Sequence, residues 1–297
     1  MRVRIATRGS PLARWQAEHV GALLRITAPS VAIELVVVET LGDRSRERPI
    51  HELGGQGVFV KEVQSAVLDG HADVAVHSAK DLPSSPADGL VIAAVPERGD
   101  PRDALVGSPL ADLAHGATVA TGSVRRQAQL AHARPDLQFV DLRGNIQTRL
   151  SKVPPGGAVV MAVAALERLG LADQIAETLD PRVMLPQVAQ GALAAECRQD
   201  DEATRELLRS VEHAASRAAV DGERAFLAAL GGGCDVPVGA HVTRHRGGWR
   251  CEGIIADVAG TTVLRHAEVG DDPVALGSLV ATVLLDTLGG SGLLNRS

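Results

Sequence analysis

Residues 72–84 read Ala-Asp-Val-Ala-Val-His-Ser-Ala-Lys-Asp-Leu-Pro-Ser, and this stretch decides the fold class. Val74 to Val76 is a short apolar run with β-branched residues, the pattern of a buried strand. It ends abruptly in His77, Ser78, Lys80 and Asp81 before Pro83 stops it. In open α/β sheets ligands sit outside the carboxyl ends of the strands, so a Lys-Asp pair just beyond one is a candidate site. A solvated turn carrying an incidental ion pair is the competing reading of the same residues.

Working outward, the elements around this stretch alternate between strand and helix. Arg4 to Thr7 reads as a strand, and Ser10-Pro11 opens a helix with Ser as N-cap and Pro at the first helical position. Leu12, Trp15, His19, Leu23 and Ile26 form a stripe at helical spacing. Val31 to Thr40 is a second strand. The charged stretch from Leu41 to Gly57, punctuated by Gly54, Gly55 and Gly57, reads as a long mobile segment, and a helix follows from Val58 to Asp69. This order implies a largely parallel sheet.

A polar break at residues 95–103 leads into a second α/β unit. Val119 to Thr121 is a strand, Gly122-Ser123 a turn and cap, and Val124 to Ala133 a helix, echoing Thr7-Arg8-Gly9-Ser10. The two similar turns point to two related lobes. Phe139 to Leu142 and Ala158 to Val163 read as further strands, Leu185 to Gln190 as the return to the first lobe, and Gly191 to Cys197 as an Ala-rich helix. From Ala214 onward come a helix ending at Leu230, a glycine run into Cys234, three short strands between Val236 and Glu268, and an amphipathic helix from Val274 to Leu288. The fold class read from this is α/β: two lobes and a small C-terminal α+β domain. The expected boundaries are 1–96 with 188–212, 97–187 and 213–297.

Composition limits the function. The 297 residues are 45% hydrophobic and 22% charged, with two Trp, three Phe and no Tyr, so the core is aliphatic. A net charge of -6 argues against a general nucleic-acid binder. No apolar leader opens the sequence and no run approaches the roughly 18 apolar residues of a membrane span. The expectation is a cytoplasmic protein. Three cysteines without paired spacing fit free thiols in a reducing compartment, and no metal site is expected.

Cations gather in one region despite the acidic total. Arg125, Arg126, Arg134, Arg143, Arg149 and Lys152 face only Asp136 and Asp141 within residues 123–152. Arg125 and Arg126 fall in a first helical turn, where the dipole opposes a cation by about 0.3 to 1 kcal/mol and a bound anion reverses the sign. Guanidinium forks suit carboxylates or phosphates, so a ligand with several acidic groups is expected. Cys234 follows Gly231-Gly232-Gly233, a loop that a bulky group can approach closely, whereas Cys197 and Cys251 read as buried structural thiols.

These features carry a family resemblance. Ile5-Ala-Thr-Arg-Gly-Ser-Pro-Leu-Ala, Gly57-Val-Phe-Val-Lys-Glu, Val76-His-Ser-Ala-Lys-Asp-Leu-Pro, Asp100-Pro-Arg-Asp-Ala, Gly122-Ser-Val-Arg-Arg-Gln, Leu142-Arg-Gly-Asn, Gln190-Gly-Ala and Gly232-Gly-Cys occur in the order seen in porphobilinogen deaminases, also called hydroxymethylbilane synthases. The chain resembles that family along nearly its whole length. The resemblance implies lobes like type II periplasmic binding proteins and a dipyrromethane cofactor joined to Cys234 by a thioether. It implies a transferase of tetrapyrrole (haem) biosynthesis. In that chemistry porphobilinogen loses ammonia, the resulting azafulvenium cation is attacked by the free α-carbon of the terminal pyrrole, and after four condensations water releases hydroxymethylbilane.

By the same resemblance Asp81 is the catalytic carboxylate. Lys80, Ser123, Arg125, Arg126 and Arg143, with Asp81, hold the cofactor, while Arg8, Ser10, Arg149, Arg168, Phe59 and Gln190 hold substrate. Two positions depart from the pattern: Gln56 stands where many members carry Lys, and Asp235 places a carboxylate beside Cys234. The implied partner is porphobilinogen, with no nucleic acid or membrane, and the expected state is a monomer. The alternative is a non-catalytic small-anion-binding protein of the two-lobed fold, which would need the arginines but neither Lys80-Asp81 nor a cysteine on a glycine loop.

Overall fold

β1 (Arg2–Arg8) is the strand from which the first sheet grows, pairing in parallel with β2 (Ala32–Val38) on one side and β3 (Val74–Ser78) on the other. The computed structural model describes residues 1–39, 60–231 and 236–294. Phe59, Cys234, Gln56, Asp235 and the glycine-punctuated stretch 41–57 lie outside the described residues. The chain divides into two compact units, Met1–Gly99 with Ala192–Arg217 and Asp100–Gly191 with Ala218–Ser297.

In unit 1, β4 (Leu90–Ala94) completes the sheet, and its fourth strand arrives late in the sequence. Residues 191–197, expected as a helix, instead form most of a strand, Leu193–Arg198, antiparallel to both β3 and β4. The Ala-rich composition favours helix, but this segment is covered on both faces and hydrogen-bonded on both edges, and tertiary burial overrides so weak a propensity. Cys197 is therefore a strand residue, fully buried.

Helix α1 (Pro11–Thr27) starts where expected, Ser10 Oγ accepting the Ala13 N–H at 3.2 Å. Its buried face is Gln16, Ala17, Val20, Gly21 and Leu24, not the stripe of Leu12, Trp15, His19, Leu23 and Ile26. Small residues explain the rotation, because a Cβ on Gly21 would meet Ile33 Cγ2 at 3.0 Å. The helix rests on the sheet through its small residues, which leaves Ile26 75% exposed and stacks Trp15 on His19 at 4.8 Å. Helix α2 (Lys61–Leu68) covers the other face with Val63 and Val67, packed against Ala6, Ala72 and Ala75.

Unit 2 repeats the plan with β5 (Asp103–Gly107), β6 (Thr118–Ala120), β7 (Gln138–Val140), β8 (Ala158–Ala162) and β9 (Glu177–Thr178). With the late strand Leu193–Arg198 labelled β10, the first sheet runs β2-β1-β3-β10-β4 and the second β7-β6-β8-β5-β9. In each, three parallel strands are followed by one antiparallel strand and a fifth paired to it. The related lobes expected from the two Gly-Ser turns thus share strand order and direction. Helix α3 (Val124–Ala133) follows β6, α4 (Ile146–Leu150) follows β7, and α5 (Val163–Arg168) follows β8.

The remaining part is a meander of β11 (Val238–His245), β12 (Gly248–Ala256) and β13 (Val263–Gly270), all antiparallel. Helix α6 (Glu202–Arg209) and α7 (Ala214–Ala229) precede it, and α8 (Pro273–Thr282), continued by a wider turn over Val283–Thr287, follows. A Cβ on Gly253 would lie 2.5 Å from Phe226 Cε2, so glycine lets α7 bury that ring against β12. No described helix is long and apolar enough to cross a membrane.

Candidate functional site

In unit 1 the candidate residues lie at the carboxyl edge of the parallel strands. Ile5 and Ala6 pair with Val74 and Ala75, so Arg8 at the end of β1 and the end of β3 share one edge. The strand includes His77 and Ser78, and Ala79–Asp81 is then a single tight turn fixed by the Ala79 N–H on Ala192 O at 3.0 Å. Ala79 and Leu82 are buried while Asp81 between them is exposed. Among the described residues the Asp81 carboxylate accepts no hydrogen bond and makes no ion pair. Lys80 and Arg8 are half-buried. Ser10 spends its hydroxyl as the cap of α1.

Beneath this edge lies a buried polar group that the sequence reading did not use. His77 Nε2 is 3.2 Å from Glu196 Oε2, and Gln64 Nε2 donates to the same oxygen at 2.9 Å. The signal was available in the alternation of β10, where Glu196 sits between Ala195 and Cys197, but the segment had been read as helix.

In unit 2 the turns after β6 and β7 meet at the corresponding edge. A Cβ on Gly122 would lie 2.8 Å from Leu142 O, so glycine permits the close approach. Ser123 is the N-cap of α3 by backbone geometry, yet its side chain makes no capping hydrogen bond. Arg143 donates from Nε to Asp141 at 2.8 Å and is 36% exposed. Arg149 donates from Nε to Gly144 O at 2.8 Å, across a glycine at φ 118 whose Cβ would collide with Thr148. Arg168 donates to Gly191 O at 2.5 Å, and burial lowers its pKa to about 10 against the opposing pull of Glu167.

Arg125 and Arg126 are not solvated: they are only 3% and 6% exposed. Both bind one carboxylate, Asp103, which is fully buried. Arg125 Nη2 donates to Oδ2 at 2.8 Å and Arg126 Nε to Oδ1 at 3.0 Å. Gln190, expected at the substrate, is also fully buried and donates to Asp103 Oδ1 at 2.9 Å and to Pro101 O at 2.8 Å. Burial alone would raise the Asp103 pKa, but the two guanidiniums and Gln190 outweigh it and hold it at about 2. Asp103 was not read as a site residue. Its signal was an acid immediately before the apolar run Ala-Leu-Val, which had been taken for part of a polar crossover.

Two family matches bear on this arrangement. The family described as "Porphobilinogen deaminase, dipyromethane cofactor binding domain" matches residues 3–206, and "Porphobilinogen deaminase, C-terminal domain" matches residues 218–286. The chain belongs to the porphobilinogen deaminase family. Similar relatives, all named porphobilinogen deaminase, include one from Nitratidesulfovibrio vulgaris (strain DSM 19637 / Miyazaki F), 48% identical with 90% of this chain and 86% of the relative covered. Another from Syntrophotalea carbinolica is 45% identical, with 96% and 92% covered. A third, from Xanthomonas oryzae pv. oryzae, is 46% identical, with 96% of each covered. Among solved structures the chain is similar to the methionine binding protein MetQ, 13% identical, TM-score 0.45, with 71% of this chain and 89% of that one covered.

The chain is accordingly a transferase of tetrapyrrole biosynthesis. It deaminates porphobilinogen and condenses four molecules head to tail on a covalent dipyrromethane primer, and hydrolysis then releases hydroxymethylbilane. The non-catalytic anion-binding alternative is not favoured by these matches. The residues present fit a cofactor with carboxylate arms. Two guanidiniums share the Asp103 carboxylate, and the Arg125 Nε–H there is buried without an acceptor among the described residues. A buried orphan donor costs about 1 to 3 kcal/mol, and an acidic arm would supply the missing acceptor.

Proposed function

We propose that Cys234 carries the dipyrromethane through a thioether and that Asp81 is the catalytic carboxylate. Support for the first assignment comes from the other two thiols. Cys197 and Cys251 are fully buried in strands, and burial pushes their pKa values up to about 11 and 12, so neither presents a thiolate near neutral pH. When bound, the dipyrromethane supplies a nucleophilic pyrrole α-carbon that no side chain can offer.

The exposed, unpartnered carboxylate of Asp81 at the end of a rigid strand is the observation that carries the catalytic role. Placed against pyrrole N–H groups, its oxygens accept their hydrogen bonds and stabilise the positive charge that develops on the substrate as ammonia leaves. The same oxygens can hold the proton released on condensation, a general acid/base role typically worth about 10² to 10⁴ in rate. Lys80, Ser123, Arg125, Arg126 and Arg143 hold the acidic arms of the cofactor, Arg8, Ser10, Arg149, Arg168 and Gln190 serve those of the substrate, and Phe59 stacks on a pyrrole face. Fork-shaped donors fix such arms in orientation as well as in place. Ser10 and Gln190 are already engaged within the protein, so any help they give is through the backbone they hold.

The remaining parts of the proposal are a monomeric, cytoplasmic enzyme without nucleic-acid partners and a three-domain division at 1–96 with 188–212, 97–187 and 213–297. Intact mass and peptide mapping test the attachment. Cys234→Ala should fold, carry no adduct and lose activity, while Cys197→Ala and Cys251→Ala keep both. An adduct mapped to Cys197 or Cys251 overturns the assignment.

A further inference from the structure

Asp103 opens β5 opposite Ala162, the last residue of β8, and so stands at the edge where the parallel strands of unit 2 end. Each guanidinium around it is held on two sides. Arg125 donates from Nη1 to Leu185 O at 2.6 Å and from Nη2 to Asp103, and Arg126 from Nη1 to Val160 O at 3.0 Å and from Nε to Asp103. Neither fork is free to turn. A purely structural buried ion pair would be balanced in charge, and even balanced pairs are often replaceable by apolar residues at no loss. Here the ratio is two cations to one anion, and the Arg125 Nε–H is left over. A buried donor left unmet is costly in the protein alone, and the cost is offset when an anionic acceptor arrives.

We propose that Asp103 is a positioning residue for recognition of the acidic arms: without touching the ligand, it aims the Arg125 and Arg126 forks. This rests on the reading that these arginines hold carboxylate arms. Gln190, bound to the same carboxylate, ties the segment before Gly191 into this array. The two guanidiniums and Gln190 keep Asp103 ionised down to about pH 2. Loss of its carboxylate leaves two unopposed guanidiniums that repel one another and swing toward other acceptors, which misaligns the forks although the total positive charge rises.

The test uses the full chain, with three readouts: adduct occupancy and its rate of loading by intact mass, kcat for porphobilinogen, and the urea unfolding midpoint. In Asp103→Asn, adduct occupancy should fall, with apoprotein loading about 10- to 100-fold more slowly, the worth of a misaligned charge-assisted contact to the cofactor's arms. Its kcat per adduct-bearing molecule should change by less than about threefold. A cooperatively folded Asp103→Asn with wild-type occupancy and loading, its midpoint alone lowered, makes Asp103 merely structural and overturns the proposal. Should Asp103→Asn fail to fold, Asp103→Glu keeps the charge and displaces it by one methylene; a lowered occupancy supports the proposal and a wild-type occupancy refutes it. Arg125→Lys and Arg126→Lys separate the two layers of the argument. If they lower occupancy while both Asp103 variants do not, positioning by Asp103 fails and arm binding stands; if none of the four moves occupancy, arm binding by these arginines has failed.

Discussion

The two five-stranded sheets have the same strand order and direction, yet their ligand-facing edges are built on opposite electrostatic plans. In unit 1 the buried polar pair is His77 and Glu196, which face each other, and the carboxylate of Asp81 is left exposed. In unit 2 the carboxylate is the buried member, and it holds two cations that outnumber it. Even the equivalent Gly-Ser turns differ, since Ser10 caps its helix and Ser123 does not. A repeated scaffold thus supplies equivalent positions, while the identity of the charge kept from water decides what each edge does. Under the proposed roles, the first plan leaves an acid/base group available for proton transfer, and the second presents cations to acidic arms.

The largest expected effect lies at the unit 1 edge. Asp81→Asn keeps shape and burial and removes only the charge, so turnover should fall by at least about 10² with the urea midpoint unchanged. Near-normal turnover would break the comparison at its first term. Next comes Arg143→Leu, which removes one exposed fork from unit 2 and should stall elongation or cofactor assembly at a definite stage. An unchanged distribution of masses and unchanged turnover would reduce Arg143 to a solvated partner of Asp141.

A smaller effect is expected in acid. The Asp103 pKa is depressed in the folded protein, so its contribution to stability is complete above the unfolded-state value near 3.8 and is lost as the pH falls toward about 2. Urea midpoints of the wild type should decline between about pH 4 and 2, and those of Asp103→Asn should decline less. Equal slopes would show that Asp103 does not couple to folding. The smallest effect separates the two turns. Ser10→Ala should cost about 1 kcal/mol through the lost cap on Ala13 N–H, while Ser123→Ala, with no cap to lose, should stay within about 0.5 kcal/mol. Equal losses would remove that distinction.

Much of this was legible in the sequence where local chemistry and burial agree. Ser10-Pro11 announced α1, Val124 to Ala133 was found with both ends correct, and the strand before Lys80-Asp81 was placed to within two residues. The failures came where long-range packing decides. Leu193–Arg198 carries a helix-prone alanine run, but it is wedged between β3 and β4 and extends to meet both. The stripe on α1 was misjudged because Ala17 and Gly21, which carry little hydrophobic weight, allow the closest approach to the sheet. Arg125 and Arg126 were read as facing the acidic groups of a ligand, and their shared buried partner went unseen because Asp103 lies more than 20 residues earlier and no local pattern links them. Asp81 was legible as a candidate because it follows a strand end and stands two residues before a proline stop, and the structure leaves it exposed.

The division of labour between the two edges is tested most directly by following intact mass in time after porphobilinogen is added to holoprotein. Wild type, Asp81→Asn and Arg143→Leu are compared at equal adduct occupancy. The account predicts that Asp81→Asn slows every mass increment by a similar factor, whereas Arg143→Leu takes up early increments at close to the wild-type rate and then accumulates at one mass. Uniform slowing in Arg143→Leu together with a stage-specific stop in Asp81→Asn would contradict it.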